Sequence, residues 1–418
     1  MERERLQYAF LGWILLCLLG WCTVQGVYAA QDDTASKSSM AREATLPEYV
    51  DVTTQHVIRL DGQDMAYTTT AGALTIPVEG GESQGKLFYV AYVKRDADAA
   101  QRPITFVFNG GPGAAAVYLH LGAIGPRRVA LNDDGTVPPA PVRLVQNSLT
   151  WLAFTDVVFV DPIGTGYSRA ARKSDGKDKT HKFWGIEADL ESLGGFIRLY
   201  LSRNSRWLSP KFLAGESYGG FRVAALAQKL HAEFHVPLNG LVLISPALEF
   251  SLHTVDPYRV LPWVLRIPAY AAVATFHGKS SLQHQPTSEL SALLSSVEAF
   301  SLGDLLTGLA QGDRLGEEKA HALYHRLSDY IGLSDELVRR YRGRIALSVF
   351  AKTLLRDSQR VISLYDGSVA TIDANPAHPV YEGQDPRLHQ LSTAFSATFN
   401  SYVREQLQFT TDLPYLAL

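Results

Sequence analysis

Gly215-Glu216-Ser217-Tyr218-Gly219 is the stretch of this sequence with the plainest chemistry. It fits G-x-S-x-G, in which a serine sits on a tight turn between a strand and a helix. Glycine is needed on either side because such a bend leaves no room for neighbouring side chains. The turn exposes the hydroxyl and aims backbone N–H groups at one spot, as attack on an acyl carbon requires. Context agrees: Lys211–Ala214 reads as a strand, and the residues through Leu230 read as a helix. Ser217 is therefore the expected nucleophile, with a structural turn serine as the plain alternative. The Tyr218 N–H is one expected donor to the oxyanion. A second donor should come from an earlier strand-to-helix loop. Asn109-Gly110-Gly111-Pro112-Gly113 follows the apolar run Ile104–Phe108, and its glycines allow a path that presents amides to a ligand. Alone, that segment reads equally well as a Gly-Pro turn.

These residues need a scaffold, and the rhythm of the chain supplies one. From Val57 to Lys94 the text reads as short strands, with Asp61-Gly62 as a hairpin signal. Ile104–Phe108, Asp156–Val160, Lys211–Ala214 and Asn239–Ser245 are buried-strand candidates, and Lys182–Leu201 is a helix on the 3.6-residue period. Buried strands alternating with helices predict a mostly parallel sheet covered on both faces. Beyond Pro246 the pattern turns helical. Glu289–Leu309, Glu317–Tyr330, Asp335–Leu355 and Ser392–Leu407 are expected amphipathic helices. Val260–Phe276 is apolar, but Arg266, Pro262 and Pro268 argue against a bilayer span.

Composition narrows the classes. The chain has 418 residues, 46% hydrophobic, with 39 Lys+Arg against 42 Asp+Glu and a net charge of −3. That balance gives no electrostatic case for nucleic acid. Arg169–Lys182 is basic-rich but carries two aspartates, and is expected to be a solvated loop beside the crevice. No metal pattern is present: His321 and His325 lack the intervening glutamate of the metalloprotease motif. Neither a metal nor a cofactor is expected. Cys17 and Cys22 lie in the apolar run Ala9–Val24, which leads to Val27-Tyr28-Ala29. This reads as a signal peptide cut after Ala29, followed by a flexible leader over residues 30–45. The mature chain then has no cysteine and no Asn-x-Ser/Thr acceptor, which favours a bacterial periplasm or secretion. Membrane contact is expected only transiently, through the signal peptide.

Three motifs occur in order: Asn109–Gly113, Asp161-Pro162-Ile163-Gly164-Thr165-Gly166-Tyr167-Ser168, and Gly215-Glu216-Ser217-Tyr218-Gly219-Gly220. Together with Arg102-Pro103 and Asn400-Ser401-Tyr402-Val403-Arg404, they resemble the serine carboxypeptidase family in its bacterial branch. The resemblance implies an α/β-hydrolase fold with a helical cap insertion, and removal of C-terminal residues from peptides through an acyl-enzyme. It implies a core over residues 46–250 and a mainly helical cap region over 251–418, over the C-terminal edge of the sheet. Carried over by position, Ser217 is the nucleophile, and Gly111 and Tyr218 supply the oxyanion N–H groups. Asn109, Gly110 and Glu216 bind the substrate, with Asn109 and Glu216 on its free carboxylate.

Two departures stand against this pattern. The glutamate that many members place before the following Gly-Pro would fall at Gly122 or Ala123, leaving Arg127 and Arg128 as the nearby charges. None of the histidines after Ser217 follows a glycine, as the family's histidine usually does. The chain is thus expected to be a low-activity form lacking the triad Asp and His and the final core strands, with an unpaired sheet edge. Asp366 or Asp373 with His378 or His389 are the best internal substitutes, each more at home in a loop. A related esterase or acyltransferase, or a non-catalytic binding protein, are the rival readings.

Overall fold

The computed structural model describes residues 48–418 apart from 78–83, 134, 172–179, 255, 285–289, 382 and 384. The expected signal peptide and leader lie outside the described residues. One eight-stranded sheet organises the rest. Its strands are β1 (Val52–Leu60), β2 (Gln63–Pro77), β3 (Gln84–Lys94), β4 (Ile104–Phe108), β5 (Asp156–Val160), β6 (Arg169–Ala170), β7 (Lys211–Glu216) and β8 (Gly240–Ile244). They lie in the order β1-β2-β3-β5-β4-β7-β8, with β6 paired to β3. The first three strands are antiparallel, and Asp61 and Gly62 turn the first hairpin with φ of 48° and 77°. From β5 to β8 all neighbours are parallel. The sheet is therefore mixed, with a parallel half that carries the motifs.

Every residue of β4 and β5 is buried, as the unbroken apolar runs require of strands covered on both faces. The period-2 alternation sorts them. Phe106, Phe108, Val158 and Val160 face one way, onto α1 (Ile186–Arg203) and α2 (Tyr218–Ala232), through Leu193, Phe196, Ile197, Val223 and Leu226. Val107, Val157 and Phe159 face the other way. β8, in contrast, pairs only with β7, and Leu241, Val242 and Leu243 remain 37–40% exposed. It is an apolar edge of the kind that invites further strand pairing.

A second core lies beyond β8. It is built from α3 (Ile267–Phe276), α4 (Leu290–Phe300) and α5 (Glu317–Ile331) around Tyr270, Val297, Phe300, Leu327 and Phe350. The helix expected over Asp335–Leu355 is two pieces, Asp335–Arg340 and Leu347–Thr353. Arg342 and Gly343, at φ of 50° and 72°, break it. A short hairpin, Arg360–Ile362 with Ala370–Ile372, follows, in a stretch that the sequence pattern marks as neither strand nor helix.

The last helix, α6 (Pro386–Glu405), starts earlier than its apolar pattern suggests. The Asp385 carboxyl caps the Arg387 and Leu388 amides, and Pro386 occupies the first turn. Its apolar face, Phe395, Phe399, Tyr402 and Val403, packs with Phe88, Tyr92 and Phe159 of the main sheet. Leu407, Phe409 and Ala417 join the same cluster. Residues 386–418 thus pack into the hydrolase core rather than with the second helical core that the division at 251 groups them with.

Candidate active site

β7 delivers Ser217 to the turn, where it takes φ 57° and ψ −121°, and α2 begins at Tyr218. Such a backbone is costly for a residue with a side chain and persists only where its surroundings over-determine it. Here the Ser217 N–H donates to the Ile244 carbonyl at 3.0 Å, and the Ser217 carbonyl accepts from Gly220 at 2.9 Å and Ala247 at 3.0 Å. The flanking glycines are obligatory by contact. A Cβ on Gly219 would stand 2.6 Å from the Phe108 carbonyl oxygen.

The glycine-rich loop that follows β4 meets this elbow. A Cβ on Gly110 would lie 2.7 Å from the Tyr218 amide nitrogen and 3.0 Å from the Ser217 Cβ. Gly111 and Gly113 hold φ of 97° and 110°. Asn109 is buried and gives its Nδ2 to Glu216 at 3.2 Å, while its Oδ1 accepts the Leu119 amide at 2.9 Å. Desolvation raises the Glu216 pKa above the usual carboxylate value, against the Asn109 hydrogen bond. Asn109, Gly110, Gly111, Glu216, Ser217 and Tyr218 are therefore one cluster, drawn from two strand ends. A cavity of about 310 Å³ opens beside it, lined by Pro112, Gly113, Ile163, Thr165, Trp184 and Tyr218 among others. A larger groove, about 1070 Å³, runs between α6 and residues 137–144 and shares none of these residues.

Sequence reasoning missed the support beneath this cluster. Arg222 of α2 gives Nε to Asp189 of α1 at 2.7 Å and Nη1 to the Asn109 carbonyl at 2.7 Å. Both side chains are buried, and the guanidinium lies 5.1 Å from the Tyr218 ring centre. The signal was present: an arginine set between Gly219-Gly220-Phe221 and the apolar run Val223-Ala224-Ala225-Leu226.

Among the described residues, no histidine or carboxylate hydrogen-bonds the Ser217 hydroxyl. Three of the internal substitutes are otherwise engaged. Asp373 pairs with buried Lys352 at 2.6 Å, Asp366 accepts from Ser368, and His378 Nδ1 lies 2.9 Å from the Val380 carbonyl. Arg127 and Arg128 lie on a short strand, Arg127–Val129, with Arg128 exposed. No group of three or more His, Cys, Asp or Glu side chains placed to hold a metal occurs among the described residues.

A strand order with β5 outside β4 and a strained serine after β7 is the α/β-hydrolase arrangement. Residues 62–257 match the serine carboxypeptidase family. The matched stretch holds all three motifs and the whole cluster. Serine carboxypeptidase-like 5 of Arabidopsis thaliana is 27% identical over 43% of this chain and 40% of its own length. Serine carboxypeptidase 3 of Triticum aestivum is 25% identical over 55% of this chain and 42% of its own. The pheromone-processing carboxypeptidase KEX1 of Yarrowia lipolytica is 30% identical, over 52% and 32%. The chain thus spans less than half the length of these relatives. Among solved structures, the Saccharomyces cerevisiae prohormone-processing carboxypeptidase Kex1 aligns over 84% of this chain and 65% of its own, with 18% identity and a TM-score of 0.45.

Proposed function

We propose that this chain is a serine-type carboxypeptidase that releases C-terminal residues from peptides through an acyl-enzyme on Ser217. The observation that carries this reading is the strained Ser217 with the Gly110 backbone packed against its neighbouring amide. Gly111 and Tyr218 are the oxyanion donors in this reading, and Asn109, Gly110 and Glu216 bind the substrate, with Asn109 and Glu216 on its free carboxylate. With no base bonded to Ser217 among the described residues, turnover is expected to be low, near the roughly 10³–10⁴-fold over water that oxyanion sites give without a triad. The sequence of residues 1–29 supports export, and a peptide with a free C-terminus is the partner.

Stoichiometric labelling by a fluorophosphonate, lost in Ser217→Ala, together with faster release from free than from amidated peptides, is the expected result. Equal rates on both peptides would remove the carboxypeptidase reading and leave a serine hydrolase of another class.

Glu216 gives this reading a pH signature. One carboxylate can hydrogen-bond another only when one is protonated, and a raised Glu216 pKa keeps that proton to higher pH. Peptide affinity is therefore expected to be highest at acid pH and to fall as Glu216 ionises. Glu216→Gln, a permanent donor, is expected to flatten that limb. Measuring KM from pH 4 to 8 decides it: a mutant profile parallel to the wild type takes Glu216 out of the role.

A further inference from the structure

Three segments meet behind the glycine-rich loop at one buried side chain. Asp161, at the end of β5, is 3% exposed. Its Oδ1 accepts the Ala116 amide at 2.8 Å and faces the Tyr415 hydroxyl at 3.4 Å. Its Oδ2 is buried with no hydrogen-bond partner. That oxygen lies against Gly166, where a Cβ would fall 1.7 Å from it. Around this carboxyl the chain is stitched by backbone bonds. Gly166 exchanges two with Leu416, at 2.7 and 3.1 Å, and the Ala115 amide donates to the Ala417 carbonyl at 3.0 Å. Ala115 and Ala116 come two and three residues after Gly113 of the loop that meets Ser217, so whatever fixes these two amides fixes the far end of that loop.

We propose that Asp161 is a positioning residue for the glycine-rich loop, holding it through the Ala116 amide, and that it does so as a neutral carboxyl. The orphaned Oδ2 is the reason for neutrality. A negative charge on this carboxyl would have only the Ala116 and Tyr167 amides and a long Tyr415 contact to meet it, with no donor in hydrogen-bond geometry at Oδ2, and holding a buried charge so is expensive. The groups that face it do not replace one. Arg169 is committed to the carbonyls of Gly166, Ser168 and Pro414. Tyr415 and Tyr167 are raised by burial, as is Tyr49, which donates to the Tyr167 carbonyl. Tyr118, also raised, lies near Tyr415, and Arg404 is spent on Tyr167 and Asn400. Asp161 is thus the group in this knot that titrates near neutrality. Burial pushes its pKa up to about 7, against the pull of the Ala116 and Tyr167 amides, the Tyr415 hydroxyl and the Arg169 charge.

The consequence has a definite sign. The folded chain keeps a proton that the unfolded chain releases near the ordinary value of 3.8, so this stabilisation is lost as pH rises towards about 7. Above that point the knot carries an unmatched charge, and the loop beside Ser217 loosens.

The test uses the full chain and two readouts. The first is the rate of fluorophosphonate labelling of Ser217 from pH 5 to 9, which rests on the function proposed above. Wild type is expected to lose rate above neutrality, by about tenfold per pH unit once past the midpoint. Asp161→Asn, which keeps an acceptor for Ala116 but cannot ionise, is expected to lose that limb. Tyr415→Phe, which removes a donor to the charged form, is expected to move the limb to higher pH. The second readout needs no activity: hydrogen exchange at the Ala116 amide, corrected for its intrinsic pH dependence. Protection is expected to fall above neutrality in wild type and Tyr415→Phe, and to persist in Asp161→Asn. A uniform loss of rate at every pH in both variants, or Ala116 protection that ignores pH in wild type, overturns the proposal. Failure of wild type to label at any pH overturns the nucleophile assignment alone, and the exchange data then decide the role of Asp161.

Discussion

Gly215→Ala is expected to leave little folded protein. The added Cβ would stand 2.1 Å from the Gly219 carbonyl oxygen, 2.4 Å from its carbonyl carbon and 2.8 Å from the Val223 Cγ2. Two of these atoms are backbone in the first turn of α2, so no side-chain rotation relieves the clash. Nor can the turn back away. Ser217 is tied by its N–H to Ile244 and by its carbonyl to Gly220 and Ala247. Overpacking in a rigid core usually costs about 1–3 kcal/mol, and more where the backbone itself must move. A loss above about 3 kcal/mol is expected here, with loss of Ser217 labelling. Gly303→Ala is the control, since a Cβ there meets nothing within 4 Å. It is expected to be neutral or to stabilise by about 0.5–1 kcal/mol. Urea unfolding of both variants checks this. A Gly215→Ala protein within 1 kcal/mol of wild type would mean that the elbow is not packed as described.

The elbow was legible in the sequence because its demands are local. The strained turn and the close approaches of Gly215 and Gly219 are made by residues within a few positions of Ser217 or by one neighbouring strand. What escaped notice is held by distance. Asp161 stands in a recognised motif, yet its partners are Ala116 and Tyr415, 45 and 254 residues away. Asp189 and Arg222 read as ordinary helix charges until α1 and α2 are laid side by side. α6 shows the same limit for packing: its apolar face is plain, but periodicity does not say which of two cores it will meet. The break at Arg342 and Gly343 was hidden by the strength of the pattern on either side. Asp366, Asp373 and His378, which the sequence offers as partners for Ser217, are bonded elsewhere, which spacing alone does not reveal.

Arg222→Met is the second large effect, and it separates a structural pair from one that serves the site. Removing one member of a buried ion pair leaves the other charge without a counterion, at a cost of about 3–5 kcal/mol. Here the stranded group is the Asp189 carboxylate, which is buried on α1. The mutation also takes the donor from the Asn109 carbonyl. Converting both residues, Asp189→Leu with Arg222→Met, removes the stranded charge but not the orphaned carbonyl. That residue of cost is about 1–3 kcal/mol, the usual penalty for an unmet buried acceptor. The double variant is therefore expected to be more stable than the single one, and a double-mutant cycle by urea unfolding measures the difference. Folding restored in this way does not restore the site. Asn109 keeps its Leu119 anchor but loses the hold on its carbonyl, so its Nδ2 no longer has a fixed aim at Glu216. The double variant is expected to label at Ser217 yet to discriminate poorly between free and amidated peptides. Should it regain both stability and discrimination, the pair serves the packing of α1 on α2 and the Asn109 carbonyl needs no donor. Should it stay as unstable as Arg222→Met, the cost lies in the unmet carbonyl and not in the stranded charge, which places the energetic weight of the pair on the loop that faces Ser217.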